Sequence, residues 1–401
     1  MSVTSAMYTG VSGLLSNSQA MSVIGNNIAN VNTTGFKTAR TLFADLLSDS
    51  MGNFQVGTGS RVQTSDEVFT QGSMLTSGNV TDLCISGESF FALKAAGSPS
   101  PVTTQDAAYL TRAGTFHVDG NLTLVNPDGY QVLDTQGNPI VFTDTFGATL
   151  DTFGSDLGTT TVTDITADLA KVKALADTDA TKVDAADAAC TALTSAAAAY
   201  ASSPNAATSS TLAAAISAAY NAIVAANASS ATPAALTTAA GTVATLSADA
   251  AAAANAWRTS FGSVSSISQD GLITYLGRDG VTENFYNVSG GAGIAATADN
   301  AGKVQRIALV TAVDPTELQK AGGTLYKAVP GAGVPHEGFS LAANTPNGTS
   351  EKLISNALEG SNTDMASEFV SMITTQRAYS ASSRIITTTD QMTQEVLGLI
   401  R

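Results

Sequence analysis

The 401-residue sequence is poor in the side chains that carry most protein chemistry: it has two cysteines, two histidines and one tryptophan, and only 13% of its residues are charged. Cys84 and Cys190 lie far apart in segments of different character, so neither a disulfide framework nor a zinc knuckle can be drawn. Both are predicted to be small, buried, idle thiols. His117 and His336 have no Cys, His or carboxylate at metal-ligand spacing, which argues against a zinc site. No metal or other cofactor is expected.

Basic residues are also scarce, 18 against 33 acidic ones, for a net charge of −15. Phosphate binding needs clustered Lys and Arg, so a nucleic-acid partner is excluded. The same charge pushes separate copies apart, and self-association then requires local apolar surfaces strong enough to overcome it. No continuous apolar run of about 18 residues could span a membrane. Residues 1–30 lack a basic n-region and interleave apolar residues with Ser, Asn and Gly, so a cleaved secretory signal is not expected either.

Enzyme signatures are missing as well. No Gly-rich phosphate loop opens a helix, and the Gly pairs at 290–293 and 322–323 lack the Lys and strand context. Scattered carboxylates near turns are explained by turn chemistry rather than as the paired acid and base of a glycosidase. The expectation is a protein without catalytic residues.

What is present is concentrated at the two ends. Met7, Leu14, Met21 and Ile28 recur at a seven-residue spacing, as do Leu358, Met365, Met372, Tyr379 and Ile386, with Phe369 on a neighbouring stripe. A helix of about 28 residues reaches roughly 40 Å and needs a partner along its length. The start of the C-terminal helix is read in Ser361-Asn362-Thr363-Asp364, with Ser or Asn as cap and Asp364 in the first turn. Gly35, in a dense turn cluster, is read as the stop of the N-terminal one.

Between the ends the pattern changes twice. Short alternating runs punctuated by Asp119-Gly120, Asp128-Gly129 and Gln136-Gly137 read as hairpins, and the same texture returns with Asp270-Gly271 and Asp279-Gly280. The expected fold is α+β and multidomain. Residues 1–32 and 358–401 would form a terminal coiled-coil core, 33–75 an extended connector, 76–150 and 262–357 a discontinuous β-rich domain, and 151–261 an Ala-rich outer insert. Within the insert Ile165, Leu169 and Val172, then Leu212, Ile216, Tyr220 and Ile223, then Leu236, Val243, Leu246 and Trp257 fall at helical spacing, and Thr232-Pro233 is a helix start. This predicts a bundle of Ala-seamed helices, the rival being an Ala/Ser/Thr linker whose small side chains bury little apolar area.

The run Ile24-Gly25-Asn26-Asn27-Ile28-Ala29-Asn30-Val31-Asn32-Thr33-Thr34-Gly35-Phe36-Lys37 resembles the signature of flagellar rod and hook proteins. Gln376-Arg377-Ala378-Tyr379 and Ile386-Thr387-Thr388-Thr389-Asp390-Gln391-Met392 resemble the C-terminal helix of the same family. Weaker echoes lie in Val68-Phe69-Thr70-Gln71-Gly72 and Ala321-Gly322-Gly323-Thr324-Leu325-Tyr326. The Ala-rich insert matches nothing typical of the family.

The resemblance implies a structural subunit of a helical homopolymer, a tube with a central export channel, built from paired terminal helices with β domains outside. Met7, Leu14, Met21 and Ile28 would pair with Met365, Met372, Tyr379 and Ile386. Asn26, Asn27, Gln376 and Arg377 would make polar contacts between subunits or face the channel. The implied partners are the rod, the hook–filament junction proteins, the hook cap and the flagellar type III export apparatus, and the implied place is the extracellular flagellum. The chain's size and extra outer domain resemble hook subunits more than rod ones. An adhesin or a peptidoglycan hydrolase built on the β domain is the alternative from another class.

Overall fold

The computed structural model describes residues 3–46, 49–51, 54–143, 180–203, isolated positions between 208 and 256, and then 258–278, 280–288, 293–295, 304–346, 348 and 351–399. Two long helices bracket a β-rich body: Val3–Ala29 at one end and Met365–Leu399 at the other. The first contains no charged residue, so a flanking surface can cover it without desolvating an ion. It stops where Asn30 folds back, its side-chain amide donating to the Asn26 carbonyl at 2.9 Å, and Gly35 takes a φ of +68°. A side chain there would meet the Ala113 backbone at 2.4 Å, so the position admits only glycine.

The C-terminal helix is capped by Asp364 itself, which accepts the Ala366 N–H at 3.0 Å and the Ser367 hydroxyl at 2.7 Å. This corrects the expectation that Ser361 or Asn362 would cap. Ser361 bonds locally to Thr363, and the Asn362 side chain reaches away to the Val68 carbonyl at 2.7 Å.

The stretch expected to be an extended connector carries a paired ribbon, Ala39–Asp45 antiparallel to Ser60–Glu67, with a register slip between Leu42 and Phe43. The ribbon lies on the N-terminal helix. Ser60 N–H donates to Ser12 Oγ at 3.3 Å, and the Ser16 and Ser60 hydroxyls meet at 3.2 Å. Small hydroxyl side chains on the helix allow this close approach; the alternating run Ser60-Arg61-Val62-Gln63-Thr64 marks the second strand of the ribbon, and the first strand has no such mark.

The β body holds an eight-stranded sheet with the order Gln319–Gly322, Leu325–Lys327, Tyr109–Thr111, Phe90–Lys94, Gln131–Val132, Leu124–Val125, His117–Val118, and with Leu309–Val310 also pairing Phe90–Lys94. A four-stranded sheet runs Phe261–Ile267, Ile273–Gly277, Glu283–Phe285, Ile294–Ala295. Residues from both sides of the Ala-rich stretch share one core, in which Phe142 stacks on Phe261 and meets Tyr275 and Tyr286 edge-on. Gly129, Gly137, Gly271 and Gly280 take positive φ at their turns. At Asp119-Gly120 that conformation falls to Leu122 instead, because the Asp119 carboxylate already closes the turn by accepting the Asn121 and Thr123 N–H groups.

Within the Ala-rich stretch the helix Ala180–Ser202 buries Ala186, Cys190, Leu193, Ala197 and Tyr200, and Leu212 is buried too. The seams read through Ile165, Leu169 and Val172, through Ile216, Tyr220 and Ile223, and from Leu236 to Trp257 lie outside the described residues. Both cysteines are free and buried, and burial pushes the Cys84 thiol up to about 11. Among the described residues no helix is long and apolar enough to cross a membrane, and no group of His, Cys, Asp and Glu could hold a metal ion. The fold does bring a carboxylate to one histidine, Asp106 to His336 at 2.7 Å.

Candidate assembly surface on the paired terminal helices

The two terminal helices pack along each other and run antiparallel. Near one end Gly10 faces Ile385 and Ile386, one turn on Gly13 faces Ser382, and at the other end the Asn27 amide donates to Glu368 Oε1 at 3.0 Å. The closest approach is made by glycines: a Cβ on Gly10 would stand 2.9 Å from Ile386 Cγ1, and one on Gly13 would stand 2.9 Å from Ser382 Oγ. Removing two side chains is what lets the backbones close.

On the C-terminal helix Glu368, Met372, Thr375, Tyr379, Ser382, Ile386, Thr389 and Thr393 are half-buried or buried, with Ser383 beside them. Their spacing alternates four and three, the heptad pattern of a seam that keeps facing one partner. The seam is rich in hydroxyls, and Ser382, Thr389 and Thr393 each satisfy theirs on a carbonyl one turn back. Such a seam loses little polar solvation but gains less apolar burial than a leucine seam.

Of the residues singled out from the sequence, Leu14, Met21, Ile28, Met372, Tyr379 and Ile386 are half-buried, while Met7, Met365, Phe369, Asn26, Gln376 and Arg377 are exposed. Gly10, rather than Met7, is what meets Ile386. Asn27 differs most from expectation. It is 1% exposed, its amide donates to the Ala39 carbonyl at 2.8 Å and its oxygen accepts the Ala39 N–H at 3.0 Å. With the Glu368 bond added, its side chain is committed within the chain and not to another subunit or a channel. It pins ribbon, first helix and last helix together.

The outward faces of the pair remain apolar. Met7, Tyr8, Val11 and Leu15 on one helix and Met365, Phe369, Val370, Ile373, Ile385, Met392 and Val396 on the other are all more than a third exposed. Beside them a shallow groove of about 310 Å³ is lined by Gln376, Arg377, Ser380, Ala381 and Arg384. Contiguous apolar stripes of this kind mark interaction surfaces.

A buried polar junction joins this helical unit to the β body, and nothing local in the sequence points to it. Lys37 Nζ lies 2.6 Å from Glu359 Oε1 with both side chains fully buried, and the same ammonium donates to the Thr70 carbonyl at 2.7 Å. Glu359 Oε1 also accepts the Gly72 N–H at 2.9 Å. Arg112, 1% exposed, approaches Glu359 Oε2 at 3.7 Å, donates to the Gly87 carbonyl at 2.9 Å and lies over the Phe90 ring. Burial pulls the Lys37 ammonium below its ordinary range against the raising effect of Glu359, and burial lowers Arg112 too. Lys37 and Glu359 are 322 residues apart in sequence, so no spacing rule could have found the pair; the one hint is a lysine two residues after Gly35.

Residues 7–37 match the family described as flagella basal body rod protein, and residues 354–399 match the flagellar basal body rod FlgEFG protein C-terminal family. Lys37 and Glu359 each fall inside one of these segments. The chain is 37% identical over 155 residues to the flagellar hook protein FlgE of Treponema pallidum, covering 34% of this chain and 32% of that one. It is 36% identical over 157 residues to FlgE of Borreliella burgdorferi, covering 34% of each. It is also 35% identical over 148 residues to the flagellar basal-body rod protein FlgG of Bacillus subtilis, covering 34% of this chain and 53% of that one. The chain thus spans about a third of the length of the curated hook relatives it matches.

Proposed function

We propose, from the match of residues 7–37 and 354–399 to flagellar rod family models, that the chain is a member of the flagellar rod and hook family and polymerises into the tubular hook, a flexible joint between rod and filament with a central export channel. The observation that carries this reading is the antiparallel helix pair whose outward faces stay apolar in a chain of net charge −15. Fully burying a large apolar side chain yields about 1.5–3 kcal/mol. Eleven such side chains are exposed on the two helices, and recovering about 1 kcal/mol from each gives on the order of 10 kcal/mol. That is comparable with the roughly 4–15 kcal/mol that association costs, and a subunit in a tube touches neighbours on several sides. Repulsion between acidic surfaces is screened beyond about 8–10 Å at physiological salt.

In this reading residues 1–32 and 358–401 form the inner coiled-coil wall, and 33–75, carrying the ribbon, links it to the β domain of 76–150 and 262–357. The Ala-rich segment 151–261 projects outward. Gln376 and Arg377 line a groove that a neighbouring copy or the channel would face. The subunit meets the rod below and the junction proteins above, is placed under a cap, reaches its extracellular site through the flagellar type III apparatus, and acts as structure without catalysis.

The similarity to FlgG supports a second reading, a distal rod subunit. One experiment addresses both: purified full-length chain and a version trimmed to residues 33–357 are brought to polymerising conditions and imaged by electron microscopy. Full-length chain should form tubes, curved for a hook and straight for a rod, and the trimmed one none. Tubes from the trimmed chain would remove the proposal.

A further inference from the structure

Two stretches of chain, 68–73 and 357–364, cross between the helical unit and the β body, a third, 35–37, joins the first helix to the ribbon beside them, and Glu359 lies on or touches all three. The first helix leaves through Gly35, whose N–H donates to the Glu359 carbonyl at 2.8 Å, and through Lys37, paired with the carboxylate. The ribbon leaves through Thr70 and Gly72, the latter donating to Oε1. The strand Tyr109–Thr111 runs into Arg112, which faces Oε2. Glu359 ends the strand Ala357–Glu359, just ahead of the C-terminal helix, and the next residue, Gly360, donates to the Ser73 carbonyl at 2.7 Å.

We propose that Glu359 is a positioning residue for assembly: its buried carboxylate fixes the direction in which the helix pair and ribbon leave the β body. The proposal rests on the polymer reading for its purpose but not for its test. An apolar contact also spans the junction, where Phe69 packs edge-on to Phe90 and Tyr326 at 5.5 and 5.4 Å. Apolar burial is non-directional and holds the parts together at many angles. Charge-assisted hydrogen bonds are short and directional, and a buried ion pair adds little net stability over apolar residues of similar size. Fixing orientation is therefore what this cluster supplies that Phe69 does not.

The test uses the unassembled full-length chain, spin-labelled at Gln391→Cys on the C-terminal helix and Asn121→Cys on a β turn, both exposed positions, with the inter-label distance distribution read by pulsed electron resonance. Glu359→Gln leaves Lys37 buried without its counter-charge. It should lower the urea midpoint by about 1 M and broaden the distribution. Lys37→Met/Glu359→Leu replaces the pair by apolar side chains. It should recover only part of the midpoint, because Arg112 stays buried without the carboxylate, while the distribution stays broad and shifts. A double variant with the parent's narrow distribution would overturn the proposal, and so would Glu359→Gln lowering the midpoint with the distribution unchanged. Should the double variant fail to fold, the single one decides. A chain that never polymerises would sink the hook reading and leave this result standing.

Discussion

Asn27 and Glu368, 341 residues apart in sequence, meet at 3.0 Å across the two terminal helices. Together with the approach of Gly13 to Ser382 this bond fixes the helices as antiparallel and sets their register, since in both pairs the residue numbers sum to 395. Asn27 also clamps the Ala39 N–H and C=O. Asn27→Ala leaves those groups and the Glu368 carboxylate short of partners, and should cost about 2–4 kcal/mol in urea unfolding of the full chain.

The glycines of the first helix separate packing from propensity. At Gly10 a side chain would press on Ile386, so Gly10→Leu should force the pair apart and destabilise it by about 1–3 kcal/mol. At Gly25 nothing lies within 4 Å, and Gly25→Ala should stabilise by about 0.5–1 kcal/mol through helix propensity alone. Thermal unfolding of the two variants beside the parent checks both signs.

Acid should fray the C-terminal helix from its start. The Ser367 hydroxyl and then the Ala366 N–H hold the Asp364 carboxyl below its ordinary 3.8. A carboxylate whose folded pKa is depressed contributes stability that is present above the unfolded value and lost as pH falls through the folded one. Parent and Asp364→Asn should therefore differ in helicity above about pH 4 and converge below it, as read by the difference between their circular dichroism titrations.

The exposed stripe is predicted to matter between copies and not within one. Phe369→Asp or Ile373→Asp alters side chains that are already about half exposed, so unfolding of the isolated chain should move by no more than about 0.5 kcal/mol. Polymer formation, followed by sedimentation, should be abolished.

The helices and the β texture were legible because each rests on a local period or a turn residue: Leu14, Met21, Tyr379 and Ile386 mark the helical seams, and Gly129, Gly137, Gly271 and Gly280 take the φ their turns require. What the sequence hid is long-range or small. Gly10, Gly13 and Ser382 set the helix spacing by lacking bulk, so they leave no hydrophobic signal. The ribbon sits on Ser12 and Ser16, small polar residues that leave no hydrophobic signal either. Lys37, Arg112 and Glu359 form one cluster from three distant segments, and Asn27 looked like an outward polar residue because its partners, Ala39 and Glu368, cannot be inferred from spacing.

A helical reconstruction of the assembled particle, at a resolution that separates side chains, tests the central claim most directly. The account predicts Val3–Ala29 and Met365–Leu399 paired antiparallel in the inner wall, with Phe369 and Ile373 covered by a neighbouring copy. Terminal helices found apart from each other, or an inner wall built from the β body, would contradict it.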